Sequence, residues 1–176
     1  MTDAPLSPQG QAALAALARA FRLSPGALAQ DPMGVALADF VARRDPYGIA
    51  PENPVRTIKT RVGDRWSSLI LQVLGFGPLG HARLRRVVGA LSSEGEISQR
   101  MLTLRLRELE RDGLVARQVT PSVPPRVDYS LTPLGQGLLD QMMHLIAWVE
   151  ANHATIHEAR ARFDAEADTD LPGRWY

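Results

Sequence analysis

The sequence lacks cysteine altogether, and of its 20 basic residues only Lys59 is a lysine, which leaves 19 arginines. The absence of cysteine excludes disulfide bonds, thiolate zinc sites and thiol redox sensing. A GC-rich coding sequence explains the shortage of lysine better than a requirement for bidentate arginine contacts does. The arginines therefore carry functional meaning only where their arrangement is specific.

Long apolar runs and an excess of charge are missing as well. No run of about 18 residues is free of charged side chains, so no segment should span a membrane. The amino terminus, MTDAPLSPQG, has no basic patch followed by an apolar core, and without this secretory signal we expect a cytoplasmic protein. A net charge of +1 gives no global attraction for a polyanion, so nucleic-acid binding must depend on locally arranged arginines.

Patterns that indicate catalysis or metal binding are also scarce. No glycine-rich phosphate loop, nucleophile elbow or pair of catalytic carboxylates is recognisable, so we expect neither an enzyme nor a cofactor. His153 and His157 have the i,i+4 spacing of metal ligands, with Glu158 beside them. No third ligand is evident, so a solvated helical tail is the better interpretation and no metal site is predicted. His81 and His144 are interpreted as packing or hydrogen-bonding residues.

Four places share a helix-start signal in which Ser, Asp or Thr precedes a proline: SPQG, SPG, DPMG and TPLG. The side-chain oxygen can cap a helix whose first residue, proline, needs no amide partner. The segment DPYGIAPENP, residues 45–54, contains three prolines and a glycine and is predicted to be a linker. The first three signals predict helices from Pro8 to about Arg22, from Pro25 to Gln30 and from Pro32 to Arg44.

The rest of the chain has the element order of a winged helix-turn-helix domain, in which a hairpin directly follows the second helix of the pair. The fold class is therefore mainly α (α+β), with extra amino-terminal helices and a long carboxy-terminal helix. Leu84, Val87, Val88 and Leu91 are spaced for one buried helical face. In order, we predict helices holding Val62 to Leu74, His81 to Leu91 and Ser98 to Asp112, the last stopped by Gly113; strands from Leu114 to Val119 and Arg126 to Leu131; and a helix from Pro133 to about His153 that continues after a break to Ala167.

The stretch ISQRMLTLRLRELERDGLV, residues 97–115, has two distinct helical faces. On its own, the polar face is equally consistent with solvent and with a ligand, because Arg107 and Glu110 could form an ordinary i,i+3 pair. Within a helix-turn-helix, the start of this helix enters the major groove, where Arg pairs with guanine and Gln with adenine. The packing arc holds Ile97, Met101, Leu102, Leu104, Leu106 and Leu109; the polar arc holds Gln99, Arg100, Thr103, Arg107, Glu110 and Arg111, of which the first four are the predicted DNA-reading residues.

Other basic side chains could contact the DNA backbone. Ser98 and the helix amides that follow it can hold a phosphate. On the preceding helix, Arg83 and Arg86 lie on the side away from the apolar stripe, although a solvated face is equally plausible. Arg117 and Arg126 flank the stiff loop TPSVPP, which could reach a minor groove or a phosphate, the alternative being a plain hairpin turn.

These segments resemble the HxlR-type winged-helix transcriptional regulators over about residues 53 to 150. The resemblance rests on NPVRTIKTRVGDRWSSLIL, LRRVV, ISQRMLTLRLRELERDGLVAR and PPRVDYSLTPLGQGL, in that order, and then on a tryptophan-bearing helix. It implies a homodimeric regulator that binds double-stranded DNA, with a recognition helix starting near Ser98 and dimer contacts made by the terminal helices.

The chain departs from that family at three places. Asn53 stands before Pro54, where members often carry a cysteine, and some members use that thiol to sense electrophiles or oxidants. The stretch GALSSEGE, residues 89–96, is longer than the usual tight turn, which puts the angle between the two helices in doubt. Gly80 and His81 replace an arginine and an aromatic residue, so we expect a phosphate contact to be missing.

The carboxy-terminal helix LLDQMMHLIAWVE has apolar residues around most of its circumference, more than one domain core can bury. A second subunit related by a two-fold axis is the simplest cover. Trp66, Met142, Met143 and Trp148 could also line a pocket for an aromatic effector, but such residues more often form core. The predicted dimer residues are Leu138, Met142, Leu145, Ile146, Trp148 and Val149.

Together these features predict a helical extension in residues 1–50, a DNA-binding winged helix-turn-helix domain in residues 51–132, and a dimerisation helix and tail in residues 133–176. We expect a homodimeric, sequence-specific regulator, a repressor rather than an activator, acting on a pseudo-palindromic operator. The effector, if there is one, is unknown. Two alternatives are a winged-helix adaptor that recruits a protein through the amino-terminal residues, and a sensor that binds a small aromatic effector between subunits. In the extension, packing or dimerisation is favoured over a second DNA-reading unit.

Overall fold

The computed structural model describes residues 5–47, 53–93, 95–122 and 125–170. Helices account for most of these residues, and the strands form one three-stranded antiparallel sheet, so the predicted mainly α class is confirmed. Internal contacts divide the chain into two units, Met1–Thr60 and Arg61–Tyr176, whereas the sequence predicts a division after residue 50. None of the helices in these ranges is long and apolar enough to cross a membrane.

Each of the first three helices begins at the predicted proline and is capped by the residue before it. The side-chain oxygens of Ser7, Ser24 and Asp31 accept hydrogen bonds from the amide three residues later, at 3.1, 3.2 and 2.7 Å. These bonds satisfy amides that lack a partner inside the helix. The helices are α1 (Pro8–Phe21), α2 (Pro25–Leu28) and α3 (Pro32–Arg44).

The predicted linker is wrong at both ends. Asp45–Tyr47 forms a 3-10 turn, in which the Asp45 carboxylate accepts hydrogen bonds from the Ser7 hydroxyl and amide. The hydroxyl bond contributes most to holding the pKa of Asp45 below its ordinary value. Pro54 begins α4 (Pro54–Gly63), and the side chain of Asn53 accepts a hydrogen bond from the Val55 amide at 2.8 Å. Proline starts a helix here rather than interrupting one; residues 48–52 lie outside the described ranges.

The single helix predicted over Val62 to Leu74 is in fact two helices. The chain leaves α4 at Gly63 and enters α5 (Arg65–Leu74), with Asp64 between them in an extended conformation. The carboxylate of Asp64 accepts a hydrogen bond from the Ser67 amide at 2.8 Å. Aspartate bonds well to the amides of a new helix, and this N-cap geometry ends the preceding helix.

The second unit packs three helices against the sheet. Leu84 and Val88 of the second of these helices are fully buried and Val87 is half-buried, but Leu91 is 61% exposed, which corrects its assignment to the buried face. A two-residue strand that the sequence did not predict pairs with the second hairpin strand, which therefore lies in the middle of the sheet. The elements are α5, β1 (Leu79–Gly80), α6 (His81–Leu91), α7 (Gln99–Arg111), β2 (Val115–Thr120) and β3 (Arg126–Leu131).

The last two helices are α8 (Pro133–Ala151) and α9 (His153–Asp170), with the predicted break at Asn152. Thr132 anchors the start of α8. Its hydroxyl donates to the carbonyl of Gly113 at 2.6 Å and accepts from the Gly135 amide at 3.0 Å, while its own amide donates to the Leu114 carbonyl at 3.0 Å. The TPLG signal therefore caps a helix and also ties that helix to the end of α7.

Candidate nucleic-acid interface

Helix α7 is held by one buried stripe, which fixes the face that it turns outward. Leu102, Leu106 and Leu109 are at most 1% exposed. The Ser98 hydroxyl caps the amino end by accepting from the Met101 amide at 3.2 Å, and Gly113, with φ at 72°, provides the left-handed residue after the carboxy end. Both predicted ends of this helix are confirmed.

The outward face of α7 brings the predicted DNA-reading residues together. Gln99, Arg100 and Arg107 are exposed and Thr103 is half-buried, and all four line one shallow concave surface. Leu104 lines the same surface and is 45% exposed, so its assignment to the packing arc is wrong. The i,i+4 relation to Arg100 and the i,i+3 relation to Arg107 put Leu104 among the polar residues. The spacing is evident from the sequence, but Leu104 was assigned to the packing arc because its side chain is apolar.

The arginines in and around α7 fall into two groups. Arg105 bonds to Asp64 and Glu108 at 3.0 and 2.9 Å, and Arg61 bonds to Asp112 and Glu108 at 3.0 and 3.2 Å. This network, whose side chains are 13–27% exposed, links the ends of α4 and α5 to α7. Within the described part of the chain, neither Arg100 nor Arg107 has an ion-pair partner. Their charges are therefore free to meet an anion or a base edge.

The hydroxyl of Thr103 is committed to the protein. It donates to the Gln99 carbonyl at 2.9 Å, and His81 Nε2 lies 3.1 Å from the same oxygen. A hydroxyl carries only one hydrogen, so His81 must be the donor in the second bond. Burial, and secondarily the charge of Arg85, lower the pKa of His81 below its ordinary value of 6.5. A neutral imidazole protonated on Nε2 satisfies both observations, and His81 is a hydrogen-bonding residue as predicted.

Helix α6 carries three further arginines of the helix pair. Arg83 and Arg86 are exposed, whereas Arg85 is half-buried beside Gly89 and Glu96. The Ser98 oxygen accepts the capping bond from the Met101 amide, so the Ser98 hydroxyl hydrogen, like the first amides of α7, is available to donate to a phosphate. In the lengthened turn, residue 94 lies outside the described ranges.

The hairpin of β2 and β3 separates the two predicted wing arginines. Arg117 is paired with Tyr129, whereas Arg126 is paired with Thr120. Cross-strand partners share a face and neighbours along a strand alternate, so the two arginines lie on opposite faces. Arg126 also bonds to Asp128 at 2.8 Å, although its side chain remains 72% exposed. At the tip, residues 123 and 124 fall outside what the structure describes.

Helix α8 divides the predicted dimer residues into a packed group and an exposed group. Met142, 3% exposed, belongs with Leu139 to the core of its own chain and is not available to a partner, while Leu138 and Ile146 are half-buried. The exposed group is Leu145, Trp148 and Val149, which are 53%, 60% and 42% exposed. Their i, i+3, i+4 spacing makes a continuous apolar stripe.

The residues considered for an aromatic effector do not share one surface. Trp66 is 7% exposed, with the Arg65 guanidinium 4.6 Å from its ring centroid, and Met142 is likewise buried. Met143 and Trp148 are 47% and 60% exposed. Two of the four are thus core, so a pocket containing all four would require the core to open.

Comparisons with known proteins identify a family for this chain and relatives that are transcriptional regulators. The HxlR-like helix-turn-helix family matches residues 61–157. The HTH-type transcriptional regulator YdeP of Bacillus subtilis is 38% identical over 113 residues, which are 64% of this chain and 84% of that protein. YtfH of Escherichia coli, also an HTH-type transcriptional regulator, is 39% identical over 58% of this chain and 77% of its own length. The solved structure of the transcriptional regulator ytfH from Salmonella typhimurium superposes with a TM-score of 0.52, at 38% identity, over 64% of this chain and 95% of that one.

Proposed function

Because this chain belongs to the HxlR-like helix-turn-helix family and is a DNA-binding transcriptional regulator, we propose that α7 is its recognition helix and that it acts as a homodimeric repressor on a pseudo-palindromic operator. The observation that carries this proposal is the contrast between two sets of arginines. Arg61 and Arg105 are neutralised by acids, whereas Arg100 and Arg107 have no acidic partner in the described ranges. Only the second set can offer its full hydrogen-bonding capacity to DNA.

The side chains of α7 match the chemistry of base edges in the major groove. Arg100 and Arg107 can each donate two hydrogen bonds to guanine, and Gln99 can pair with adenine. The amide groups that follow Ser98 suit a phosphate, as do the exposed side chains of Arg83 and Arg86. In this proposal residues 51–132 bind DNA, residues 133–176 carry the dimer contact, and residues 1–50 are an added helical extension.

Selection of bound fragments from random double-stranded DNA tests the proposal directly. We expect the full-length protein to enrich two inverted half-sites whose centres lie about 10 base pairs, or a multiple of that distance, apart. A matched selection with Arg100 and Arg107 both changed to alanine controls for non-specific binding. Failure to enrich any motif, together with capture of a protein partner through residues 1–50, would instead support the adaptor alternative.

We expect Leu145→Glu to convert a dimer into a monomer. The change puts a charge into the exposed stripe of Leu145, Trp148 and Val149, which in a dimer would have to be desolvated without a partner. The oligomeric state is measured by light scattering over a range of protein concentrations. Leu91→Glu is the matched control, because Leu91 is a similarly exposed leucine, at 61%, on α6. A wild-type protein that stays monomeric at the highest concentration would contradict the dimer, and equal effects of the two changes would contradict the assignment of its contact to this stripe.

We expect Arg117→Ala to weaken binding to all DNA sequences alike and to reduce the slope of log K against log salt concentration by about one. The reason is that a phosphate contact releases a counterion but reads no base. Arg126→Ala is the comparison within the hairpin, and its effect should be smaller because Asp128 already neutralises that charge. A salt slope that is unchanged in Arg117→Ala would remove the wing from the DNA contacts.

A further inference from the structure

An apolar side chain interrupts the polar face of α7 at the centre of the proposed base-reading surface. Leu104 is 45% exposed and lines the concavity formed by Gln99, Arg100, Thr103 and Arg107. A single exposed leucine is ordinary on a protein surface. The position of Leu104 is what distinguishes it, because the helix that carries it is already held by a separate stripe of fully buried leucines. Leu104 therefore lies outside the stripe that packs α7.

Thr103, the neighbour of Leu104 in α7, cannot readily donate a hydrogen bond to a base. Thr103 donates its only hydroxyl hydrogen to the Gln99 carbonyl, and one lone pair of the same oxygen accepts a hydrogen bond from His81 Nε2–H. What Thr103 offers without breaking these bonds is its methyl group and one lone pair. Leu104 and Thr103 thus make the middle of the surface poor in donors, while Arg100 and Arg107 make its flanks rich in them.

The edge of thymine complements the donor-poor middle of this surface. In the major groove thymine presents a C5-methyl group, which apolar side chains recognise, whereas guanine presents two acceptors that suit arginine. We propose that Leu104 reads the C5-methyl of a thymine in each half-site, between the base pairs that Arg100 and Arg107 contact. This inference rests on the proposed function, because it requires α7 to lie in the major groove.

Uracil in place of thymine tests the inference, since it removes the methyl group and leaves base pairing unchanged. The DNA is the fragment that the wild-type protein selects from a random library, with each thymine of one half-site replaced in turn. We expect one replacement to raise the Kd of the wild-type protein about fourfold, the value of one buried methyl-sized group. The other replacements should change the Kd little.

Leu104→Ala supplies the second half of the test. This variant should bind the thymine and uracil forms of that fragment with nearly equal Kd, while still losing affinity when a guanine of the half-site is changed. Leu104→Gln, which keeps the size of the side chain but not its apolar character, should behave in the same way. Circular dichroism checks that both variants remain folded.

Failure of the Leu104 inference and failure of the proposed function give different results in these experiments. Selective DNA binding by a wild-type protein that is indifferent to uracil at every position overturns the reading of thymine by Leu104 and leaves the proposed function intact. The same conclusion follows if Leu104→Ala keeps the full fourfold sensitivity. If the wild-type protein selects no DNA sequence at all, the recognition-helix proposal fails and this inference fails with it.

Discussion

Arg107→Ala is expected to weaken binding to the selected operator by about 1–3 kcal/mol, roughly a 5- to 150-fold rise in Kd, and to relax the preference at one base pair. Arg107 is exposed on the outward face of α7 and has no ion-pair partner within the described ranges, so its removal costs the folded protein little. The loss should therefore appear in DNA binding. Arg100→Ala should act in the same way at a different base pair. The affinity of both variants is measured by fluorescence anisotropy on operators with single base changes.

Arg111→Ala is the matched control for these two variants. Arg111 is also an exposed arginine of α7, but it is the last residue of the helix, whereas DNA-reading residues lie near the start. Each of the three changes removes one positive charge, so a general electrostatic effect would be common to all three. If Arg107→Ala and Arg100→Ala weaken binding no more than Arg111→Ala does, and leave the base preference unchanged, the assignment of base contacts is wrong.

Gly135→Ala is expected to lower the free energy of unfolding by about 1–3 kcal/mol, the usual cost of forcing extra volume into a packed site. A Cβ at Gly135 would collide with the carbonyl oxygen of Leu114 and lie 2.9 Å from its carbonyl carbon. That carbonyl cannot easily move, because it accepts a hydrogen bond from the amide of Thr132 at 3.0 Å. Urea denaturation followed by tryptophan fluorescence measures the effect, since Trp66 is buried in the same unit.

Gly137→Ala separates this collision from the general effect of the substitution. Gly137 lies in α8 two residues further on, and a Cβ there would meet nothing within 4 Å. Alanine favours helix over glycine by up to about 1 kcal/mol, so this control should be neutral or stabilising. Both variants are compared at one protein concentration, because dimerisation would make stability concentration-dependent. Equal stability of the two variants would show that the Leu114 carbonyl accommodates a side chain.

Signals between neighbouring residues account for much of what could be predicted about the secondary structure. Each of the four Ser, Asp or Thr caps before proline starts a helix in the structure, because capping needs only an oxygen and the amide three residues later. The same rule applies to Asp64 before α5, where the signal was present but the apolar pattern on both sides concealed the break. The error over Val62 to Leu74 thus arose where two local signals competed, whereas the missed strand β1 depends on pairing with the distant strand β3.

Contacts between distant residues could not be predicted in this way. Arg105 is 41 residues from Asp64 in the chain, and Thr103 is 22 residues from His81. Helical periodicity places Arg107 but not Arg105 in the polar arc of α7, yet nothing in the local sequence shows that Arg105 bonds to Asp64. The same applies to Met142 and Trp148, which are both apolar residues of α8 but are 3% and 60% exposed.

The family could be predicted from the resemblance of sequence motifs. Most of the order of the elements, and the residues from which a base-reading surface would be drawn, could be predicted because helical periodicity and capping are properties of neighbouring residues. Tertiary structure alone decided which arginines are neutralised, that the hydroxyl of Thr103 is committed, and that Arg117 and Arg126 lie on opposite faces of the hairpin. Charge pairing and burial depend on the three-dimensional neighbours of a side chain, and the folded chain brings these together from distant positions.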